Sequence, residues 1–348
     1  MRDHFDHEIR TLEPDELITE PGFYNIPMER HHNQPCDGYS VTSSVLRTVE
    51  LNSPADLWLR HPDNPDREVE DDKTAFRLGR VMAAYIERGP EGMEEFVRIL
   101  PSAPASMSVP EMMKLAKSGS VRPKAPPQRP TFDQIVRYVE GNPTPAGARA
   151  VEYWYDIDRD PREKVSEKEW EMIAGMGRAL AADPAACAAL GGIPEITMAW
   201  QDDRTGIWCL ARPDQISFSG MISDYKKVNT QGRPFNGWLV DGRITQHGYD
   251  MQMAFAAMGF EILTRNKPDQ VGLVFQCDAK PHHVILREIE EEDLRIGEFR
   301  NNRALQTISN CIASGDWPGP GEHVEAYRRN KAQRERLLEE MNFAGVAP

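Results

Sequence analysis

Arg212-Pro213-Asp214 is followed, ten residues after its aspartate, by Asp224-Tyr225-Lys226, with a Gly-containing turn between them. Each triplet closes or occupies a strand-like apolar run, so two adjacent strands would bring the two carboxylates together. On a strand alternate side chains share a face, which points Asp224 and Lys226 the same way. Two carboxylates and an ammonium so placed suit metal-assisted cleavage of a phosphodiester. Hard Mg²⁺, for which Mn²⁺ can substitute, prefers oxygen ligands, polarises the phosphate and lowers the pKa of an attacking water. The lysine could orient that water and stabilise charge developing on the phosphate. Glu195, on the preceding strand-like run, is placed to add a third carboxylate. In the following helix Tyr249 and Gln252 lie three apart, share a face and could point at the same site.

Each of these residues also has an ordinary reading. A D-x-K tripeptide arises by chance in many chains, and an aspartate after proline is often a turn residue. Glu195 could be a solvated strand-end carboxylate, Tyr249 a core aromatic and Gln252 a surface amide. Their ordered combination on strand, strand and helix is what favours chemistry.

The elements that must hold these groups are written in the periodicity. Residues 195–200, 207–216 and 221–228 read as short strands separated by DDRTG and SFSG. A helix is predicted over 245–264, then two strands over 271–277 and 283–289 around the turn DAKP. Upstream, 165–190 is helical, opened by a Ser166/Glu169 S-x-x-E box and carrying Trp170, Ile173, Met176 and Leu180 as an apolar stripe. A Ser-rich start predicts a helix over 42–59, and 75–99 reads as two helices interrupted at Gly89-Pro90. The tail, 290–341, is helical apart from WPGPG. The Pro-rich stretch 101–130 reads as a long exposed loop or insertion, locally basic through Lys114, Lys117, Arg122, Lys124 and Arg129. The organisation expected is an N-terminal helical part over 1–100, that loop, and a core with C-terminal helices over 131–348.

With 348 residues, 40% of them hydrophobic, the chain can bury a core of its own. A mean hydropathy of −0.58 and the lack of any apolar run near the ~20 residues of a membrane span argue against insertion. The charged first ten residues show no signal-peptide core, so a cytoplasmic location and no membrane partner are expected. Five scattered cysteines without a CxxC pair exclude a zinc ribbon or disulfide scaffold and read as buried free thiols. A formal charge of −14 is awkward for a DNA-binding protein, since duplex affinity rests on phosphate neutralisation, unless a basic channel is segregated from an acidic exterior. His31-His32 and His282-His283 could suggest metal ligands, but neighbours on an extended chain face opposite ways, so each pair reads as contributing one surface group. Ser43-Ser44 lacks the setting of a hydrolase nucleophile. With neither a P-loop nor a GxGxxG, no nucleotide cofactor is indicated.

On FYNIPMERHH, SVTSSVLRTVELNSPADLW, FRLGRVMAAYI, ITMAWQDDRTGIWCLARPDQI, SDYKKV, GYDMQMAFAAMG and NCIASGDWPG, the chain resembles the RecE type of exodeoxyribonuclease VIII, a phage-associated family of PD-(D/E)xK nucleases. The resemblance spans most of the chain. It implies an α/β fold with a PD-(D/E)xK, restriction-endonuclease-like core, a central mixed sheet flanked by helices. It implies Glu195, Asp214 and Asp224 as Mg²⁺ ligands, Lys226 as the catalytic lysine, Gln252 as the helix glutamine and Tyr249 in support. It further implies digestion of one strand of linear double-stranded DNA from its 5′ end, a ring-like homo-oligomer and a RecT-type single-strand annealing partner. One departure stands out. Many relatives carry a histidine in the helix after a Leu-Gly pair, whereas Leu78-Gly79 leads into Arg80-Val81-Met82-Ala83-Ala84. That puts the number of metals in question.

Two other classes compete with a DNA-end exonuclease. An endonuclease of the same fold would also cut covalently closed circles; its iron-sulfur relatives need a late cysteine cluster that Cys277 and Cys311 alone cannot provide. A DNA-binding module with a decayed site would bind without regard to Mg²⁺.

Overall fold

The computed structural model describes residues 7–67, 74–100, 160–217, 220–321 and 329–344. The basic, Pro-rich stretch 101–130 lies outside the described residues. Two five-stranded mixed sheets, flanked by helices, carry the fold, and a small parallel pair, β4 (Val97–Leu100) with β5 (Glu163–Ser166), stands beside them. The first sheet runs β1 (Ile9–Thr11), β2 (Gly22–Asn25), β7 (Thr197–Gln201), β8 (Trp208–Ala211), β3 (Ser40–Thr42). The second runs β12 (Val284–Glu288), β11 (Gln270–Cys277), β10 (Met221–Val228), β9 (Gln215–Ile216), β6 (Ile193–Pro194).

Strands β10 and β11 are parallel, with Asp224 opposite Leu273 and Lys226 opposite Phe275. Parallel neighbours need a crossover, here the helices α7 (Gly237–His247) and α8 (Tyr249–Thr264). Helix α8 is apolar on nearly every side and buries Met251, Met253, Phe255 and Phe260 in the main core, beside Trp200 of β7. The long helix α9 (Glu291–Ser314) lies across it, and Gly297 makes that approach possible: a Cβ there would stand 2.8 Å from the Asp250 carbonyl oxygen. A second apolar cluster joins α4 (Thr74–Arg88) and α5 (Glu167–Ala181). The Ser166/Glu169 capping box is formed at the start of α5.

Several predicted elements are divided, always at a residue that breaks the backbone pattern. The helix expected over 42–59 is two, α2 (Ser43–Leu51) and α3 (Pro54–Trp58), because Pro54 takes the first helical position behind a Ser53 cap. Over 75–99 the second helix is instead a 3₁₀ turn, Pro90–Glu95, leading into β4. Asp183 and Pro184 end α5 and open a short α6 (Pro184–Ala189), and residues expected to start the first helix form β5. The predicted strand 207–216 is β8 and β9, which belong to different sheets. The helix expected over 245–264 begins at Gly237 and is interrupted at Gly248, whose φ is +63°. The part over 1–100, expected to be helical, contributes β1, β2 and β3 to the first sheet. Among the described residues no helix is long and apolar enough to cross a membrane.

Candidate active site

The segment Arg212-Pro213-Asp214 is the step from one sheet to the other, between β8 and β9. Proline offers no N–H there, and the side chains on either side hold the step. Arg212 donates from Nη2 to Glu195 Oε2 at 2.8 Å and from Nη1 to the Ile26 carbonyl oxygen. Asp214 reaches across to β10, accepting the Tyr225 backbone N–H at 2.6 Å. Two residues of β10 then complete the cluster. Asp224, only 3% exposed, accepts Lys226 Nζ at 2.8 Å. It also accepts Gln252 Nε2 from α8 and is hydrogen-bonded to the Asp214 carboxyl group.

The electrostatics follow from burial and proximity. Burial, and then the Asp224 charge, raise the Asp214 pKa well above the ordinary aspartate value and favour its protonated form. Burial pushes Asp224 up as well, but Lys226, the hydrogen bond from Asp214 and Arg47 outweigh it and hold Asp224 ionised. The two aspartates offset the desolvation of Lys226 and keep it charged. Its ammonium also lies 4.7 Å from the centre of the Tyr249 ring, a cation–π contact.

Of the six residues singled out in the sequence, five therefore meet: Asp214, Asp224, Lys226, Gln252 and, through its ring face, Tyr249. The sixth, Glu195, lies nearby but differently from expectation. It sits at φ +52° in the kink between β6 and β7, not on a strand, and its carboxylate is paired to Arg212. Its backbone N–H donates to the Asp214 carbonyl oxygen at 3.1 Å. Among the described residues no three carboxylate, imidazole or thiol side chains stand close enough together to hold a metal. The donor chemistry nonetheless suits a hard cation at Asp214 and Asp224. Gln252 Oε1 is buried without a hydrogen-bond partner, an orphaned oxygen on the amide that touches Asp224.

Ala83, four residues beyond Gly79, lines a narrow cavity with Glu87, Glu195, Asp214 and Tyr225. The helix that lacks the histidine thus does face the site. Each histidine pair has one exposed member, His32 and His283, and one buried. His31 Nδ1 pairs with Thr197 Oγ1 at 3.0 Å, and His282 Nδ1 contacts the Cys277 carbonyl oxygen at 3.3 Å. All five cysteines are free; four are buried, but Cys187 is exposed, contrary to expectation, because it lies on the outer side of α6.

Sequence reasoning missed Arg47 of α2. It donates from Nη1 to the His247 carbonyl oxygen at 3.0 Å and lies 5.9 Å from the Tyr249 ring centre. It also missed Arg212 as the holder of Glu195, and Glu87. Nothing in the spacing of Arg47 or Glu87 marks them, since each lies on an element remote in the chain, and the Arg212–Glu195 pair forms only because the chain kinks at Glu195.

No family model matches the chain, and no curated protein matches it. Among solved structures, a candidate exonuclease from Eubacterium rectale aligns over 91% of this chain and 98% of its own, with a TM-score of 0.52 and 10% identity. That likeness shows a shared α/β fold of mixed sheets flanked by helices. A phage-related exonuclease from Haemophilus somnus 129PT covers 60% of this chain and 95% of its own at 15% identity, with a TM-score of 0.29, too slight to carry weight.

Proposed function

We propose that the chain is a divalent-metal-dependent exodeoxyribonuclease of the PD-(D/E)xK type that degrades one strand of linear double-stranded DNA. The observation that carries this reading is the convergence on Asp224 of three groups from two elements and a loop: Lys226 Nζ at 2.8 Å, the Gln252 amide and the carboxyl group of Asp214. The fold shared with the Eubacterium rectale protein supports it.

Asp214 and Asp224, aided by Gln252 Oε1, would hold Mg²⁺ or Mn²⁺, and Glu195 stands next to them on Arg212. When bound, the ion supplies polarisation of the phosphate and a more acidic water. The protein's own residues do the rest. Asp214 would be ionised when it holds a cation. Gln252 orients the Asp224 carboxylate, and Tyr249 and Asp224 together confine the Lys226 ammonium. Lys226 then offers its charge to a phosphate oxygen as negative charge develops there.

Strand polarity from 5′ to 3′, giving 3′ overhangs for recombination with a RecT-type annealing partner, and a ring-like homo-oligomer belong to the same proposal and rest on the sequence resemblance. A ring would also reconcile the acidic total charge with a locally basic lumen.

The test uses end-labelled linear duplex and a covalently closed circle, with wild-type protein and Lys226→Ala, in Mg²⁺ and in EDTA. Expected is Mg²⁺-dependent loss of the linear DNA by wild type alone, with the circle intact. Cutting of the circle would favour an endonuclease. Ala83 favours a second reading, a DNA-binding module that has lost catalysis, because the position facing Asp214 and Glu195 carries no ligating group. Binding that is indifferent to Mg²⁺, with no nucleotide released by wild type, would support that reading.

A further inference from the structure

Arg47 is a half-buried cation that reaches the candidate active site from outside the strand-turn-strand segment. Its stem runs against Gly248, where a Cβ would stand 3.2 Å from Arg47 Cδ, so the glycine that separates α7 from α8 also leaves room for this side chain. Nε donates to the Ser43 carbonyl oxygen at 3.3 Å and Nη1 to the His247 carbonyl oxygen at 3.0 Å, which fixes the guanidinium plane. Nη2 has no acceptor among the described residues.

The neighbouring carboxylates have other partners, although Asp250 Oδ1 is buried without a hydrogen bond. Asp224 takes Lys226 and Gln252, and Asp250 takes Arg300 Nη1 at 3.0 Å. Arg47 therefore has no ion pair among the described residues, although it feels the charges of Asp224 and Asp250. Sinking a guanidinium part-way into the protein without a counter-ion is costly, and arginine cannot shed its proton to escape that cost. An anion arriving from solvent would supply what is missing. Tyr249 contacts both cations, its ring centre lying 5.9 Å from the Arg47 guanidinium carbon and 4.7 Å from Lys226 Nζ. The cationic edge extends outward, since Arg243 Nη1 lies 3.1 Å from His247 Nε2, and the His247 ring stacks on Tyr249.

We propose that Arg47 binds an internal backbone phosphate of the DNA strand through Nη2, beside the linkage that Lys226 faces. This rests on the nuclease reading. It makes Arg47 a substrate-binding residue, not merely a tie between α2 and the end of α7.

The test is fluorescence anisotropy of the full chain with a labelled duplex bearing 5′-hydroxyl ends, in EDTA, from 50 to 200 mM salt. Wild type is compared with Arg47→Met, Arg47→Lys and Arg47→Gln, with melting curves in parallel. One lost phosphate contact should weaken binding on the order of tenfold near 0.1 M salt and make the slope of log affinity against log salt shallower by about 0.9. Arg47→Lys should keep the wild-type slope even if it melts earlier, because charge and not the tie to His247 sets the slope. Arg47→Gln keeps a donor for the His247 carbonyl without the charge, and should show the shallower slope even if Arg47→Met fails to fold. Wild-type slopes in Arg47→Met or Arg47→Gln would overturn the proposal, as would a shallower slope in Arg47→Lys. Wild type that neither binds nor cleaves DNA would sink the nuclease reading itself. Wild type that cleaves while the slopes stay unchanged removes the Arg47 inference alone.

Discussion

The carboxyl groups of Asp214 and Asp224 are hydrogen-bonded partners, and burial together with the Asp224 charge pushes the Asp214 pKa up. One aspartate comes from the step between the two sheets and the other from the middle of β10, so the pair is a joint between two parts of the fold as well as a site. Its cost is like-charge repulsion in a desolvated place, offset by Lys226 and by Gln252. With the Asp214 pKa raised, a cation that binds there would compete with protons.

A first prediction follows for pH and metal. The folded pKa of Asp214 lies above its unfolded value, so the folded state binds the extra proton. That stabilisation is complete below the ordinary aspartate pKa and is lost as pH rises through the raised value. Metal-free wild type should therefore lose stability over this window, while Asp214→Asn should not, and the variant should melt higher than wild type at pH 8 without metal. Calorimetry in buffers of differing ionisation enthalpy should show a proton released when Mn²⁺ binds wild type and none with Asp214→Asn. Parallel stability curves for the two proteins would count against the raised Asp214 pKa.

Gln252 is expected to act through Asp224. Gln252→Leu removes both the donor to the carboxylate and the orphaned Oε1. Loss of such an orienting partner typically weakens metal affinity about 10–100-fold. The half-saturating Mg²⁺ or Mn²⁺ concentration, followed by thermal shift, should rise by that order with the metal-free melting point little changed. An unchanged metal requirement would remove Gln252 from the site.

His31 predicts acid sensitivity of the fold. Burial, with His32 and Arg212, holds its pKa well below the ordinary histidine value. Stability from the neutral imidazole is present above the unfolded pKa near ~6.5 and is lost as pH falls toward the folded value. Its contribution to the slope can reach ~1.4 kcal/mol per pH unit. Denaturant melts of His31→Asn between pH 7 and pH 5 should be visibly less steep in pH than those of wild type. Identical dependence would show that His31 is not the group responsible.

Two glycine substitutions should move stability in opposite directions. At Gly297 a new Cβ meets backbone, the Asp250 carbonyl oxygen at 2.8 Å, and the α8–α9 pair must open. Overpacking of this kind costs about 1–3 kcal/mol. At Gly242, within α7, nothing stands within 4 Å, so Gly242→Ala should gain about 0.5–1 kcal/mol from helix propensity. Chemical denaturation of both variants, with activity measured alongside, decides the matter, because opening α8 would also displace Tyr249 and Gln252.

Much of the site was legible along the chain because it is built from short-range periodicity. Asp224 and Lys226 share a strand face, Tyr249 and Gln252 share a turn of helix, and both elements are found where the pattern put them. The capping box at Ser166 was legible for the same reason. Element boundaries failed at Pro54, Pro184 and Gly248, where a single backbone-breaking residue divides an otherwise continuous apolar pattern. The break at Gly89-Pro90 stands where the sequence puts it, and only the element after it differs, a 3₁₀ turn and β4 in place of a helix. The predicted strand 207–216 failed differently, since periodicity cannot tell that a chain leaves one sheet for another at Arg212-Pro213-Asp214.

By itself the sequence determined which carboxylates and which ammonium could meet, since spacing of two on a strand and three on a helix is a local property. Tertiary structure alone decided what surrounds them. It turned Glu195 onto Arg212, brought Arg47 of α2 to the end of α7, exposed Ala83 to the pocket and left Gln252 Oε1 without a partner. These relationships join residues up to 200 positions apart. Desolvation and charge pairing act through space, so no pattern along the chain could carry them.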